Sequence, residues 1–378
     1  MRYNEMQLTE YLAPRAIGRG VPLMGNFELT ARCSLNCRMC YVRQSAADVA
    51  ARGGELSAAQ WLSVAQEARE KGMLYLLLTG GEPLIRPDFR EIYTELRKMG
   101  LAISINTNGT LIDDEYIEFF RHNPPARINM SLYGASPAAY ERLCGDGEAF
   151  EKTMYALRGL KNAGVKLKLS MSLTPYNKDD LESVAKISQE EKVYLQVGTY
   201  MFPAVRKDKS HVGENDRLTE EEAALAQLKY DRIRFDDERF MLRAERMMKN
   251  ETEHETEGCG DEQGERLSCR AGRCAFWITW QGKMVPCGMM IEPYTEPLKT
   301  GFADAWDELR RRTGEIRMPY ECGVCSYRGV CDVCPAACYA ETGSFSERPE
   351  YPCKKVKELL RITAEEYRRI KEKKSNEA

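Results

Sequence analysis

The chain has 378 residues and a formal net charge of −3, a balance that disfavours nucleic-acid binding as its main function. No apolar run is long enough to span a bilayer, and Met1–Asn26 lacks the features of a signal peptide. We therefore expect a cytoplasmic protein with no membrane partner. Fourteen cysteines in a reducing compartment indicate metal binding rather than disulfides.

Between about Gly25 and Tyr200, apolar strand-like runs alternate with charged segments of helical period. The predicted strands are Asn26–Thr30, Leu74–Leu78, Ala102–Asn106, Arg127–Leu132, Lys166–Ser172 and Val193–Val197. The predicted helices are Ser57–Lys71, Pro87–Met99, Asp113–Arg121, Phe150–Ala163 and Lys178–Glu190. Strands that alternate with helices predict crossover connections and a parallel sheet. Six such units are too few for a complete eight-unit barrel.

The segments around this α/β region differ in composition. Residues Met1–Leu23 are a lead segment of mixed character. After Tyr200 the chain is highly charged, which predicts an amphipathic helix at Leu225–Met248 followed by a mobile acidic linker at Glu251–Glu257. The tail predicts a terminal helix at Lys354–Lys374, and we expect the last few residues to be disordered.

Three cysteines, Cys33, Cys37 and Cys40, follow the first predicted strand with the spacing CxxxCxxC. They lie on a loop that leaves a strand end, where α/β enzymes place their chemistry. Thiolates are soft ligands that suit iron–sulfur clusters or zinc. Three ligands would leave one iron of a four-iron cluster open, as a catalytic site requires. On spacing alone, half of a zinc site and plain buried thiols remain alternatives.

Glycine and small polar residues follow the next strands. The second strand ends in Gly80-Gly81-Glu82, the third runs into Asn106–Gly109, and the fourth into Asn129–Gly134. Paired glycines allow a ligand to approach the backbone closely. Each segment also fits an ordinary turn. Their common position at strand ends makes them candidates for one pocket.

Nine more cysteines lie between Leu267 and Cys353. They are Cys269, Cys274, Cys287, Cys322, Cys325, Cys331, Cys334, Cys338 and Cys353. Apolar alternation around Gly282 predicts a hairpin within this region. Two CxxC pairs would by themselves fit a zinc ribbon.

Taken in order, these motifs resemble those of radical S-adenosylmethionine (SAM) enzymes with a C-terminal SPASM domain. The resemblance runs from about Gly25 to Cys353. It implies an α/β fold, a partial (β/α)6 TIM-type barrel followed by a small cysteine-rich auxiliary domain. The implied divisions are a lead segment 1–23, the barrel 24–200, a charged helical linker 201–266, the SPASM domain 267–353, and a helix and tail 354–378.

The resemblance also assigns cofactors and residues. It implies that Cys33, Cys37 and Cys40 hold a [4Fe–4S] cluster whose open iron binds SAM. One electron from that cluster would cleave SAM and yield a 5′-deoxyadenosyl radical. The implied SAM-binding residues are Tyr41, Gly80, Gly81, Glu82, Ser131 and Arg142. Tyr133 stands where the family usually has an aspartate.

SPASM domains usually bind two auxiliary [4Fe–4S] clusters. The implied ligands of the first are Cys269, Cys274, Cys287 and Cys334, and those of the second are Cys322, Cys325, Cys331 and Cys353. Two residues rather than three separate Cys331 from Cys334, so Cys338 is an alternative to Cys334. The assignment of Cys274 as a cluster ligand stays open, because some relatives lack a ligand at that position. Cys144 and Cys259 are expected to be spare thiols, although Cys259 could instead reach a cluster.

The resemblance implies an oxidoreductase that abstracts hydrogen from a peptide or protein and leaves an oxidative modification such as a cross-link. A low-potential donor such as flavodoxin or ferredoxin would supply electrons. Gly288 stands where sulfatase-maturing relatives carry an aspartate, which disfavours sulfatase maturation. One alternative is a radical SAM dehydrogenase or cofactor-precursor enzyme acting on a small molecule. Another is a non-catalytic iron–sulfur or zinc scaffold protein.

Overall fold

A computed structural model describes residues 5–213, 216–250, 260–261, 264–265 and 267–377. The helices are α1 (Glu5–Arg19), α2 (Ala46–Ala51), α3 (Ala58–Glu70), α4 (Phe89–Lys98), α5 (Asp114–His122), α6 (Pro137–Cys144), α7 (Ala149–Asn162), α8 (Leu181–Glu191), α9 (Glu220–Arg234), α10 (Asp237–Met248), α11 (Pro297–Thr300), α12 (Phe302–Gly314), α13 (Tyr320–Gly323), α14 (Pro335–Thr342) and α15 (Glu350–Glu377). The strands are β1 (Met24–Glu28), β2 (Tyr75–Thr79), β3 (Ala102–Thr107), β4 (Arg127–Ser131), β5 (Leu167–Ser172), β6 (Leu195–Gly198), β7 (Gly260–Asp261), β8 (Gly264–Glu265), β9 (Ala275–Ile278) and β10 (Met284–Val285).

The main sheet has the strand order β10-β9-β1-β2-β3-β4-β5-β6. Strands β1 to β6 are mutually parallel, and each of the six strands predicted from sequence is confirmed to within two residues at either end. Helices connect them, as the alternation indicated. Because the strands run the same way, their carboxyl ends meet at one edge of the sheet, and the loops that follow converge there.

The two faces of the sheet differ in polarity. Along β3, Ile103 and Ile105 are buried under the surrounding helices, whereas the alternate residues Ser104 and Asn106 are only partly buried. The apolar face of β1 follows the same rule, with Phe27 fully buried and its ring 4.9 Å from that of Trp61 on α3. The face that carries Phe27, Ile103 and Ile105 is therefore the outer face, and it forms the hydrophobic core with the helices. The opposite, inner face of the sheet is polar.

The predicted hairpin around Gly282 is confirmed, but its first strand has an unexpected partner. β9 pairs antiparallel with β10 and also parallel with β1, extending the main sheet. The Asn26 side chain donates to the Phe276 carbonyl at 2.8 Å. The ring of Phe276 packs on Phe302 and Trp306 of α12. β9 thereby covers the edge of β1, whose backbone groups would otherwise lack partners on that side.

Three sequence expectations about the flanking segments need correction. The mixed lead segment contains helix α1. The single helix expected at Leu225–Met248 is two helices, because Phe235 is extended and Asp236 caps the start of α10. The terminal helix begins at Glu350 and therefore includes Cys353, and it continues to Glu377 where disorder was expected. The predicted mobile stretch Glu251–Glu257 lies outside the described residues.

The C-terminal helix ties the last part of the chain to the segment after β6. Tyr351 donates to the Leu218 carbonyl at 2.9 Å, and Lys355 donates to Thr199 at 2.9 Å. Arg217 pairs with Glu341 of α14. Among the helices of the described residues, none combines the length and apolar character needed to cross a bilayer.

Candidate active site

The loop of Cys33, Cys37 and Cys40 lies between β1 and α2, at the edge where the parallel strands end. Backbone N–H groups point at two of its sulfurs: that of Leu35 lies 3.4 Å from the Cys33 sulfur, and that of Arg43 lies 3.3 Å from the Cys40 sulfur. Such donors are typical around sulfur ligands of metal clusters, because they orient the ligand and stabilise its negative charge.

The environment of these thiols suits a cationic group. Burial, with smaller contributions from Glu82, Cys40 and Cys37, raises the pKa of Cys33 to about 12. A hydrogen bond with Cys144, followed by burial, raises the pKa of Cys37 well above its usual range. Burial likewise raises the pKa of Cys40. Three partly buried thiols on one loop are a donor set whose negative charge a bound metal cluster would offset. The residues present therefore fit the cluster that the motif implies.

The two glycines of Gly80-Gly81-Glu82 hold the end of β2 against this loop. The Gly81 N–H donates to the Thr30 carbonyl at 2.8 Å, and the Glu82 N–H donates to the Arg32 carbonyl at 2.9 Å. A Cβ on Gly81 would lie 2.2 Å from the Arg32 carbonyl oxygen. Glycine is required there because the two backbones touch, a packing reason that stands beside the predicted contact with SAM.

We expect Gly81→Ala to weaken metal binding by the cysteine loop, because the new methyl group would push Arg32 away and break the hydrogen bond to Glu82. The expected loss of folding stability is about 1–3 kcal/mol. The matched control is Gly314→Ala, where an added Cβ meets nothing within 4 Å. Iron content after anaerobic reconstitution and the thermal midpoint are the measurements. Equal iron content in both variants would contradict this role.

Glu82 is fully buried and stabilises the cysteine loop indirectly, through Asn108. Its carboxylate accepts hydrogen bonds from the Thr107 hydroxyl at 2.9 Å, the Asn108 N–H at 2.8 Å and the Leu84 N–H at 3.1 Å. The Asn108 side-chain amide in turn lies 3.5 Å from the Cys33 sulfur. Burial raises the pKa of Glu82 to about 7, against the opposing effect of these hydrogen bonds.

This shift predicts a pH dependence of stability. The folded protein keeps the proton on Glu82 up to about pH 7, whereas the unfolded chain releases it near 4.5. Folding therefore takes up a proton between these values, and the stability contributed by the neutral carboxyl is lost as pH rises through about 7. Glu82→Gln cannot ionise, so its stability should fall less between about pH 5.5 and about pH 7.5, by about 2 kcal/mol. Thermal midpoints of both proteins at the two pH values test this, and identical slopes would contradict it.

The other predicted SAM-binding residues divide into two groups. Ser131 ends β4 and pairs with Ser170 on β5. Burial raises the pKa of Tyr133, and the neighbouring Cys37 raises it further, which places Tyr133 beside the cysteine loop. Arg142 does not join them. Its guanidinium is 3.3 Å from the Asp180 carboxylate and its side chain is 52% exposed. Arg142 thus pairs with a largely buried carboxylate, and its contact with SAM stays a prediction.

Tyr41 lies in a buried polar group that the sequence did not reveal. The Arg206 guanidinium lies 5.4 Å from the centre of the Tyr41 ring and donates to the Glu28 carboxylate at 2.8 Å and the Gly288 carbonyl at 2.9 Å. Trp277 donates to the same carboxylate at 3.1 Å. Glu28 is the last residue of β1, so this group links the first cysteine loop to the segment of Cys287. The sequence signal for this buried polar group was the charged residue Glu28 at the end of an apolar strand.

Three of the four cysteines predicted for the first auxiliary cluster come together. Cys269 and Cys287 both raise the pKa of Cys334, after the larger effect of burial. The Met289 N–H lies 3.3 Å from the Cys287 sulfur. Cys274 packs in a separate apolar cluster with Ala13, Ala16 and Leu23, on the side of α1. It interacts electrostatically with Cys269, yet its packing is unlike that of the other three.

The four cysteines predicted for the second auxiliary cluster line one cavity of about 310 Å³. They are Cys322, Cys325, Cys331 and Cys353. Cys338 is fully buried between the two groups, and burial followed by Cys322 and Cys334 raises its pKa above its usual range. Cys259 lies outside the described residues. Among the described residues, no three His, Cys, Asp or Glu side chains are already gathered as the ligands of a metal ion, so the assignment of these thiols to two clusters stays a prediction.

Comparison with known proteins identifies the class to which this fold and cysteine loop belong. Residues 27–187 match the profile of the radical SAM superfamily. Residues 27–187 therefore form a radical SAM domain with an α/β partial-barrel fold, and that family implies a [4Fe–4S] cluster and SAM. The predicted family and fold class are confirmed.

Individual relatives show what the chain resembles in more detail. It is 26% identical over 341 residues to an AdoMet-dependent heme synthase of Methanosarcina barkeri, covering 87% of this chain and 96% of that protein. Streptococcus suis SuiB, solved with its precursor peptide SuiA, superposes with a TM-score of 0.64 at 15% identity, covering 93% of this chain and 82% of SuiB. The protein anSMEcpe, solved with AdoMet and the Cp18Cys peptide, gives 0.67 at 18% identity, covering 92% and 98%.

Proposed function

We propose that this protein is a radical SAM oxidoreductase that modifies a peptide or protein substrate, with Cys33, Cys37 and Cys40 as ligands of the catalytic cluster. The observation that carries the proposal is the position of these thiols at the carboxyl edge of the strands. Backbone N–H groups lie against the Cys33 and Cys40 sulfurs, and the Asn108 amide lies against Cys33. A three-thiol loop leaves one metal position for a ligand, which a purely structural site does not need.

The chain's own residues would hold and orient the cofactor. The bound cluster and SAM supply a strongly oxidising carbon radical, which the protein itself cannot make. On the inner face of the sheet, Asn129 donates to Asn106 at 2.8 Å, and Ser131 and Ser170 are neighbours on paired strands. These groups offer donors and acceptors to a polar cofactor above the strands. Glu82 and Asn108 keep the loop fixed beneath it.

We assign two auxiliary iron–sulfur clusters to the C-terminal half, which in this proposal is a SPASM domain at about 267–353. Cys269, Cys287 and Cys334 would hold the first, with Cys274 as a candidate fourth ligand. Cys322, Cys325, Cys331 and Cys353 would hold the second. The clustering of these thiols supports the assignment. Auxiliary clusters would accept the electron left on a substrate radical, and a flavodoxin or ferredoxin would supply electrons to the first site.

A peptide substrate is supported by an open approach to the cysteine loop. A cavity of about 330 Å³ reaches Cys40 and is bordered by Lys207 and His211 on one side and Arg38 on the other. A second cavity of about 250 Å³ lies across Lys207 and borders Tyr41. Adjacent openings suit an extended chain that passes over the site. SuiB and anSMEcpe, with the same fold, were solved with bound peptides.

A small-molecule substrate is the second candidate. The match to the heme synthase extends over 96% of that protein at 26% identity, higher than the 15–18% identity to the two peptide-bound structures. Under this alternative the same clusters and SAM site would serve, and the cavities beside Tyr41 and Cys40 would admit a compact ligand. The two candidates therefore differ in substrate and share every residue role assigned above.

Mass spectrometry of the products separates the candidates. Cluster-loaded protein is incubated with SAM, a strong reductant and either short peptides encoded beside its gene or a tetrapyrrole. The proposal expects 5′-deoxyadenosine together with a peptide lighter by two hydrogens, and no change in the tetrapyrrole. A modified tetrapyrrole with unchanged peptides would replace it with the second candidate. Absence of 5′-deoxyadenosine in all samples would overturn both.

A further inference from the structure

The two cavities beside the cysteine loop share one cation, Lys207. The cavity of about 330 Å³ is lined by Cys40, and the cavity of about 250 Å³ is lined by Tyr41. Because Lys207 lines both, a ligand that fills the two cavities must pass over this side chain. Further cations line the second cavity, and with Lys207 they come from three separate parts of the chain: Arg52, Arg206, Lys209 and Lys283.

These cations differ in whether the protein already neutralises them. Arg206 is buried and pairs with the Glu28 carboxylate at 2.8 Å. The other four form no ion pair with the part of the chain that the structure describes, and we name them the basic rim: Arg52, Lys207, Lys209 and Lys283. The ammonium group of Lys283 lies 4.3 Å from the centre of the Tyr294 ring. The basic rim therefore has charge available for a ligand.

The carboxylates that line the same cavity do not balance the basic rim. They are those of Asp208 and Glu292, and each already accepts a hydrogen bond from the protein. The rim thus sets four cations against two carboxylates. Arg52, Lys207 and Lys209 are exposed, so their charge lies at the entrance, where a partner first arrives. An excess of positive charge there favours a partner that brings carboxylates.

The shape of the site indicates the kind of partner. Cavities of about 250 and 330 Å³ lie near the lower limit of pockets for small molecules, and neither can admit a folded domain. An extended peptide directs alternate side chains to one side at intervals of roughly 7 Å, so it can place one side chain in each cavity. Carboxylates on its remaining side chains would then meet the basic rim.

We propose that the basic rim binds an acidic segment of the peptide substrate, rich in Asp and Glu, and thereby sets which substrate residue reaches the cysteine loop. The inference rests on the proposed function and deepens it by naming the chemistry of the substrate. The rim takes no part in the reaction itself. Because it acts through exposed charges, its effect should appear in peptide affinity and should weaken as salt screens those charges.

The test measures peptide binding to the full-length, cluster-loaded protein by fluorescence anisotropy, at about 0.1 M and about 0.5 M salt. One rhodamine-labelled peptide alternates Gly with Glu, and its partner carries Gln in place of Glu. The rim variants are Lys207→Glu/Lys209→Glu and, on a separate segment, Arg52→Gln. The matched control is Lys71→Glu, an exposed lysine at the end of α3 that precedes the amino end of β2.

At the lower salt concentration we expect the Glu peptide to bind at least about tenfold more tightly than the Gln peptide. Affinity for the Glu peptide should fall about tenfold in the double variant and about threefold in Arg52→Gln, and Lys71→Glu should match the wild type. At the higher salt concentration the difference between the two peptides should largely disappear.

Equal affinities for the two peptides, or an equal loss in Lys71→Glu, would overturn the inference. Unchanged peptide binding in the double variant, together with slower reduction of the clusters by flavodoxin, would assign the rim to an electron carrier instead and equally overturn it. Peptide affinity is measured without SAM cleavage. A wild-type protein that forms no 5′-deoxyadenosine would therefore refute the proposed function, whereas a failure of charge selectivity alone would refute only the acidic substrate.

Discussion

Replacement of any one of Cys33, Cys37 or Cys40 by alanine will abolish SAM cleavage and remove about four irons per chain. Backbone N–H groups lie against the Cys33 and Cys40 sulfurs, and the Cys40 N–H donates to the Cys37 carbonyl, so the loop holds its three thiols in fixed positions. We expect 5′-deoxyadenosine formation to fall by at least about 10³-fold, a loss of about 4 kcal/mol in transition-state stabilisation.

The matched control for this experiment is Cys353→Ala, which removes a thiol from the cavity of the second auxiliary set. That variant should lose iron as well, yet still cleave SAM, because its cysteine lies on α15 rather than in the loop after β1. Iron content and chromatographic detection of 5′-deoxyadenosine are measured on the same anaerobic samples. Retained SAM cleavage in any loop variant would remove the catalytic assignment.

Reconstituted wild-type protein will contain about twelve irons per chain, as three four-iron clusters require. We expect Cys325→Ala to lose about four of them, and Cys334→Ala to lose another set of about four. Cys338→Ala should keep the full number, because Cys334 lies with Cys269 and Cys287 whereas Cys338 is buried between the two groups. This pair of variants decides between the two candidate ligands.

Iron, sulfide and zinc are determined on the same samples to make that result unambiguous. About four irons with zinc present would turn the C-terminal cysteines into a structural zinc module and remove their proposed role as electron acceptors. Loss of iron in Cys338→Ala but not in Cys334→Ala would exchange the two assignments. Either outcome would leave the radical SAM site itself untouched.

The strands and the cysteine loops were predictable because each leaves a local signal. Alternation such as that of Ile103, Ser104 and Ile105 fixes both the strand and its buried face within a few residues. The grouping of Cys322, Cys325, Cys331 and Cys353 followed from the family pattern, and the four line one cavity.

What the sequence did not predict depends on contacts between distant residues. The pairing of β9 with β1 joins residues about 250 positions apart, and no local pattern specifies such a partner. The hydrogen bonds of Glu82 and the bridge through Arg206 have the same character. The division of Leu225–Met248 had a local cause, the capping residue Asp236, which the helical period concealed.

The pairing of β9 with β1 also determines where the chain can be truncated or recombined with a relative. The main sheet includes β9, a strand from the C-terminal half, as the neighbour of β1. The N-terminal half is therefore not an independent catalytic module to which an accessory domain is attached. Truncation near residue 266 would expose the backbone edge of β1 together with the aromatic surface that Phe276 covers. An exposed strand edge of this kind can pair with other chains and cause aggregation. The division seen in the composition therefore does not mark a unit that folds separately. Exchanging C-terminal halves between relatives would require the β1 and β9 surfaces to be exchanged together.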